Sequence, residues 1–296
     1  MKDALAERGK VLIEALPYIQ EFHGSIMVVK IGGHAMVSDP TLEKVVRDII
    51  LLHYVGIKVV VVHGGGPEIS EKMEKMGKKP EFISGLRITD KETLEIVEMV
   101  LDGIVNSKIV SMFMRNGGKA VGLSGRDGTL VIARKKPPKK VRMGDEEKEV
   151  DLGFVGETDS VNPEILKLLL DNGFIPVVSP IAIDKEGNRL NLNADIVAGE
   201  LASALHAKRL IMLTDVPGIL RKTSDRTSVI SRMKTVELES LVTSGVLDGG
   251  MIPKAQSCLI ALKGGVEKAH ILDGSKEHAL LLELFTDEGV GTMVEP

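Results

Sequence analysis

Two lysines, an aspartate and a set of glycines carry the chemistry this sequence offers. Lys30 lies inside an apolar run, 25–31 (SIMVVKI), and Gly32-Gly33 follow directly after that run. A second run, 57–63 (IKVVVVH), leads into Gly64-Gly65-Gly66-Pro67. Glycines at such points let backbone N–H groups approach an anion with no Cβ in the way, and the N-terminus of a following helix adds partial positive charge. An unpaired ammonium in an apolar strand is expensive. A strand-end lysine snorkelling to solvent is the plain alternative, but adjacency to Gly32-Gly33 favours a phosphate contact. Further on, NLNAD (191–195) sets Asn191, Asn193 and Asp195 ahead of a helix rich in small residues, as caps or as part of a site. DGGMIPK (248–254) places Lys254 early in another helix, where an exposed lysine is the ordinary outcome.

Common phosphate motifs are absent. Gly-Lys occurs at 9–10, 77–78 and 118–119, followed by Val11, Lys79 and Ala120, so no P-loop Ser/Thr is present. Gly64 and Gly66 open a GxG, but Ile69 stands where a dinucleotide fingerprint needs glycine. The seven histidines have no metal-ligand spacing, and the one cysteine, Cys258, reads as a small buried residue in a reducing compartment.

The elements that must position these residues alternate in type. Strands are expected over 25–31, 57–63, 174–181, 208–214 and 268–272. Helices are expected over 41–54, 67–76, 162–172, 195–206, near 235–244, 251–263 and near 276–285. The 162–172 helix takes Asn162 as cap, Pro163 at its first position and Gly173 after its end. Strands without polar alternation, separated by amphipathic helices, indicate a parallel sheet covered on both faces. An N-terminal helix is expected over 3–20, kinked or ended at Pro17. Between the halves, 134–151 (RKKPPKKVRMGDEEKEVD) reads as a solvated hairpin with cross-strand ion pairs.

The 296 residues, 43% hydrophobic and 27% charged, suit one large α/β unit or two lobes sharing a sheet. A net charge of −4, no Trp and few other aromatics give no general attraction for nucleic acid or anionic membrane. No apolar run approaches the length of a membrane span, and the acidic residues near the N-terminus are unlike a signal peptide; a cytoplasmic location is expected.

Together the motifs resemble the amino-acid kinase superfamily, and within it the N-acetylglutamate kinases. The resemblance is carried in order by VVKIGGHAM (28–36), VVVHGGGPEI (60–69), ISGLRITD (83–90), DLGFVGE (151–157), VNPE (161–164), NLNAD, LTDVPGIL (213–220) and GGMIPK (249–254), and covers the chain from Ser25 onward. It implies an open three-layer αβα sandwich with a mainly parallel central sheet. The expected organisation is an oligomerisation arm at 1–24, an acyl-amino-acid lobe at 25–180 and a nucleotide lobe at 181–296. By the same resemblance, Lys30 and Lys254 contact the transferring phosphoryl group, with Asp195 holding them in place. Gly32 and Gly33 bind phosphate, Gly65 and Gly66 present amides to the substrate, Arg87 grips its α-carboxylate and Asn191 helps seat it. ATP arrives with Mg²⁺, for which no protein ligand is named.

The N-terminal helix and LELFTDEGVGT (282–292) resemble segments of the arginine-inhibited members, which form hexameric rings. That resemblance makes Tyr18, Glu283 and Gly289 candidates for an arginine site. Two rivals stand beside this reading: a sibling kinase for carrier-linked aminoadipate or glutamate, and a non-catalytic sensor of arginine and nucleotide. A sensor has no need of both lysines.

Overall fold

The computed structural model describes residues 9–296 apart from 33–35, 37, 84, 144, 145, 223 and 248, and describes no side chains over 140–148. Gly33 and the start of the expected 3–20 helix therefore lie outside the described residues. In chain order the strands are β1 (Ile26–Ile31), β2 (Lys58–His63), β3 (Phe82–Ile83), β4 (Leu86–Arg87), β5 (Ala120–Ser124), β6 (Val131–Lys135), β7 (Lys139–Met143) and β8 (Glu146–Val150). They continue with β9 (Gly156–Val161), β10 (Ile175–Ser179), β11 (Ile181–Ile183), β12 (Arg189–Asn191), β13 (Arg209–Thr214), β14 (Arg232–Lys234), β15 (Lys268–Asp273) and β16 (Thr292–Glu295).

Eight strands form one sheet in the order β14-β16-β15-β13-β1-β2-β10-β5. It is parallel except where β16 runs antiparallel to β15. At its centre Met27–Ile31 pair with Arg209–Leu213 on one side and with Val59–His63 on the other. Strand residues that read as unbroken apolar runs divide by parity onto two cores. Met27, Val29, Val59, Val61, Ile211 and Leu213 enter one; Val28, Val60, Val62, Leu210 and Met212 enter the other.

Helices cover both faces. On the first lie α1 (Leu16–Phe22), α2 (Asp39–Tyr54), α3 (Gly66–Lys75), α4 (Lys91–Glu98) and α5 (Asn106–Arg115). A π-helical turn over Met99–Val105 joins the last two. On the second lie α6 (Glu164–Asp171), α7 (Ala194–Ala204), α8 (Thr235–Thr243) and α9 (Met251–Lys263), while α10 (Ala279–Leu284) returns to the first. The result is the expected three-layer sandwich.

Local sequence explains the boundaries. Ser38 and Asp90 cap α2 and α4 by accepting from the N–H groups of Thr41 and Thr93. Asn162 accepts from the N–H of Glu164, and Gly173 follows α6 in a left-handed conformation. The N-terminal helix is broken as Pro17 requires: a helix over 9–14 ends in a turn at Ala15, and α1 restarts with Pro17 in its first turn. The last helix begins only at Ala279, because His278 adopts φ 55°. The hairpin expected at 134–151 is present as β7 and β8, whose register sets Lys140 opposite Glu149 and Arg142 opposite Glu147. Beside it Arg134 and Glu157 pair at 2.8 Å across β6 and β9.

A small second sheet, β12-β11-β6-β9, draws strands from both sides of the expected division at 180/181. It is knitted to the main body through 152–155. Thr89 donates its N–H to Leu152 O and accepts from the N–H of Phe154, and the Phe154 carbonyl accepts from Asn191. The close approach needs Gly153, which has φ +76° and no room for a Cβ, since one would lie 2.2 Å from the Thr89 carbonyl oxygen. Gly153→Ala should therefore lower stability by about 2 kcal/mol or more. Chemical denaturation measures this, and a loss within experimental error would mean that this bridge yields freely.

Candidate active site

The parallel strands β1, β2, β10 and β13 end along one edge of the sheet, where ligands of open α/β sheets bind. Lys30 is one residue from the end of β1. Its register partners, Val62 and Met212, belong to the second core, so parity directs Lys30 to the face covered by α7 and α9. There its Nζ lies 2.7 Å from Oδ1 of Asp195, in the first turn of α7. Lys254, in the first turns of α9, places its Nζ 3.3 Å from Oδ2 of the same carboxylate and donates to Gly250 O at 3.1 Å.

All three charged groups are largely buried, with side-chain exposures of 8%, 9% and 14% for Lys30, Asp195 and Lys254. Burial opposes the charge on Asp195, but attraction from the two lysines outweighs it and holds the carboxyl below the usual carboxylate range. Asn193 fixes the helix start by accepting from the N–H groups of Asp195 and Ile196, so of the three polar residues in NLNAD it is the cap. Ser257 of α9 donates its hydroxyl to the Asp195 backbone carbonyl and ties the two helices together.

Two cavities border this triad, one at Lys30 and Asp195 and the other at Lys254. The first, about 200 Å³, is lined by Lys30, Gly65, Gly66, Arg87, Asn191 and Asp195 among others. The second, about 520 Å³ and richer in apolar surface, is bounded by 214–216, 218–222, Val246, Leu247 and 249–251 and reaches Lys254. The ammonium groups thus line different cavities yet lie on the two oxygens of one carboxylate.

Glycine has a steric reason at two of these positions. A Cβ on Gly32 would fall 2.1 Å from Lys30 Nζ, and one on Gly65 would fall 2.6 Å from Leu101 Cδ2. Gly65 and Gly66 begin α3, so backbone N–H groups at a positive helix end border the first cavity. Arg87 is 7% exposed and stacks over Phe82 at 4.6 Å. It donates to Gly66 O at 3.0 Å and to Ser70 Oγ at 2.8 Å. No carboxylate among the described residues pairs with it. Burial pulls its pKa down from the ordinary value, and arginine nevertheless stays charged at neutral pH. Asn191 lines the cavity from β12, with Nδ2 3.5 Å from Thr89 Oγ1.

The remaining candidates, Tyr18, Glu283 and Gly289, border a separate cavity of about 350 Å³. Tyr18 donates its hydroxyl to Asp287 Oδ1 at 2.6 Å, and Glu283 accepts from the N–H of Val290 at 2.6 Å. Gly289 has φ +64°, and a Cβ there would lie 2.9 Å from Glu283 Oε2. Sequence reasoning passed over His270, whose Nδ1 lies 2.7 Å from Glu283 Oε1 in the same cavity. It read LTDVPGIL (213–220) as a family motif but gave none of its residues a role, although the loop after β13 walls the second cavity; the position of that loop at a strand C-terminus was the available signal. No group of three or more His, Cys, Asp or Glu able to hold a metal ion occurs among the described residues.

Comparison with known proteins agrees with this geometry. The sequence model of the amino acid kinase family matches residues 25–273. The chain is 66% identical over 290 residues to an acetylglutamate kinase of Archaeoglobus fulgidus, covering 98% of this chain and 100% of that protein. Among solved structures, N-acetylglutamate synthase of Neisseria gonorrhoeae complexed with coenzyme A and N-acetyl-glutamate superposes with a TM-score of 0.82 at 28% identity, over 97% of this chain and 63% of the synthase chain. The same synthase complexed with coenzyme A and L-arginine gives a TM-score of 0.76 at 27% identity, over 95% and 64%.

A carboxyl whose folded pKa lies below its unfolded value of about 3.9 adds stability that is complete above that value and is lost as pH falls through the folded pKa. Asp195→Asn should therefore flatten the acid limb of the stability curve below about pH 4. It should also cost about 3 kcal/mol at neutral pH, because two buried ammonium groups lose their shared counter-ion. Urea denaturation across the acid and neutral range reads both, and an unaltered acid limb would mean that Asp195 is not held ionised by the lysines.

Proposed function

The chain belongs to the amino acid kinase family, and we propose that it transfers the γ-phosphate of ATP to the side-chain carboxylate of N-acetyl-L-glutamate, giving an acyl phosphate in arginine biosynthesis. The observation that carries this reading is the Lys30–Asp195–Lys254 triad, with a smaller cavity bordering Lys30 and Asp195 and a larger one bordering Lys254. The name and 66% identity of the Archaeoglobus fulgidus relative support the same substrate.

The chemistry asks little of the protein beyond charge and position. A glutamate side chain is ionised at neutral pH, with a pKa of about 4.3, so the attacking oxygen needs no general base. The obstacle is bringing one anion against another. Lys30 and Lys254 supply positive charge on either side of the transferring group, and fixed charges in a water-poor site act more strongly than in bulk. Asp195 keeps both ammonium groups placed and leaves the trio with a net positive charge. Gly32 gives Lys30 its space, and the family resemblance assigns Gly32 and Gly33 to binding phosphate.

In the substrate cavity Gly65 and Gly66 offer backbone N–H groups, Arg87 offers a guanidinium fork to the α-carboxylate, and Asn191 orients the acylated amine. ATP enters as its Mg²⁺ complex, the apolar walls of the larger cavity receiving the base. Phosphoryl transfer proceeds by positioning and electrostatics. The enzyme works in the cytoplasm in this reading.

Arginine is the proposed inhibitor, bound in the third cavity by Tyr18, Glu283 and Gly289, in a homohexamer interlaced by the N-terminal arm. The arginine complex of the structurally similar synthase supports the ligand, and the meeting of residues from both ends of the sequence in one cavity supports the place.

Hydroxylamine trapping of acyl phosphate from ATP and free N-acetylglutamate tests the activity and separates it from both a carrier-dependent sibling and a sensor. Lys30→Ala and Lys254→Ala should each lower kcat by about 10²–10³-fold while the chain stays folded; normal turnover in both would remove the mechanism. Deleting residues 1–20 should leave kcat largely intact while reducing hexamers and arginine sensitivity. Sedimentation and inhibition assays on that variant decide it, and a hexamer still fully inhibited would rule out the arm's role.

A further inference from the structure

His63 ends β2 immediately before Gly64, and its ring is fully buried. Nδ1 lies 2.9 Å from the Gly64 carbonyl oxygen, and Nε2 lies 3.1 Å from Nδ2 of Asn106, the first residue of α5. The same Asn106 nitrogen is 2.9 Å from the carbonyl oxygen of Val177 in β10. A carbonyl oxygen only accepts, so the Asn106 atom facing Val177 is the amide nitrogen and not its oxygen. That nitrogen can only donate, and it lies nearer His63 Nε2 than the Leu123 carbonyl oxygen at 3.4 Å, so its second N–H goes to Nε2, which accepts. The single proton of a neutral ring then sits on Nδ1 and is donated to Gly64 O. Burial pulls the His63 pKa down to about 4, with Lys30 pressing the same way against the hydrogen bond to Gly64, so the ring is neutral at working pH.

The consequence falls on the peptide joining Gly64 to Gly65. In a trans peptide the C=O and the following N–H point in opposite directions within one plane. Holding the Gly64 oxygen against the buried ring turns the Gly65 N–H the other way. Among the described residues no group accepts from that N–H, and Gly64, Gly65 and Gly66 all line the first cavity. Glycine turns have no side chain to fix their peptide planes, so the freedom that admits an anion also lets the donor swing.

We propose that His63 is a positioning residue for phosphoryl transfer: its Nδ1–H holds the Gly64–Gly65 peptide so that the Gly65 N–H faces the reacting anion in the substrate cavity. This rests on the kinase reading above. The chain of constraint runs from the β10 backbone through Asn106 and the imidazole to the glycine turn, and each link is a hydrogen bond whose direction the previous one dictates.

Two substitutions and one spectrum test it. Asn places an amide N–H₂ at the reach of Nδ1 and restores a donor to Gly64, whereas Leu fills the space and restores none. His63→Leu should lower kcat about 10- to 100-fold, less than outright removal of such a donor costs in the severest cases, with KM for ATP changed by less than about twofold. His63→Asn should recover most of that kcat. Equal kcat per folded active site in the native chain and the Leu variant, with only the denaturation midpoint reduced, would mean a purely packing role and overturn the proposal. In the ¹⁵N-labelled native chain, imidazole spectra at neutral pH should show the proton on Nδ1, and a proton on Nε2 would overturn it as well. Absence of acyl phosphate from the native chain would instead remove the kinase reading, and with it the catalytic consequence, while the imidazole spectrum would still judge the clamp.

Discussion

One buried carboxylate organises this molecule. Asp195 faces two ammonium groups that sequence separates by more than two hundred residues, and it satisfies both through its two oxygens. Without it, Lys30 and Lys254 would repel each other in a setting with little water to screen them. With it, the group keeps one surplus positive charge, and Arg87 adds another that no described carboxylate neutralises. A chain of net charge −4 thereby concentrates positive potential where two anions must be brought together.

The surrounding construction serves that contact. Parity along β1 sends Lys30 through the sheet to the side of α7. Asn193 pins the start of α7, so the Asp195 carboxylate stands at a fixed height above the strand ends. Close approach of α7 to α9 brings Lys254 within reach, and here Gly199 is decisive: a Cβ on it would lie 2.6 Å from the Ser257 carbonyl oxygen. Ser257 in turn donates to the Asp195 carbonyl. A glycine in the middle of a helix weakens that helix, and the crossing explains why one is placed there.

Much of this was legible in the sequence because it is local. The apolar runs with no polar alternation, a cap within NLNAD, the break at Pro17 and the glycine turns at strand ends all follow from short-range rules, and the structure bears them out; the expected cap Asn162 lies one residue further out, since Pro163 takes the N-cap position. Of the residues the family motifs named, Lys30, Gly65, Gly66, Arg87, Asn191 and Asp195 line the first cavity and Lys254 the second. Local rules left Lys254 as an exposed helical lysine and Lys30 open between solvent and phosphate. What separated these readings was the pairing of β1 with β13, a contact spanning some 180 residues that no local pattern encodes. The π-helical turn that carries Leu101 beneath Gly65 and delivers Asn106 to His63 had no signal in periodicity either, since one extra residue per turn is set by tertiary packing. His270 was overlooked, and the loop carrying LTDVPGIL was given no role, for the same reason: their neighbours come from distant segments.

The third cavity has a bearing on how the chain comes into being. Its walls combine Tyr18, Glu21 and Phe22 with residues 283–293, and Tyr18 is tethered directly to Asp287. Translation delivers the first of these near the beginning and the second near the end. A ribosome-bound intermediate can therefore assemble much of the central sheet, including β1 against β2, while this hollow stays unwalled. Whatever ligand it holds will therefore recognise only polypeptides whose synthesis has run past Met293.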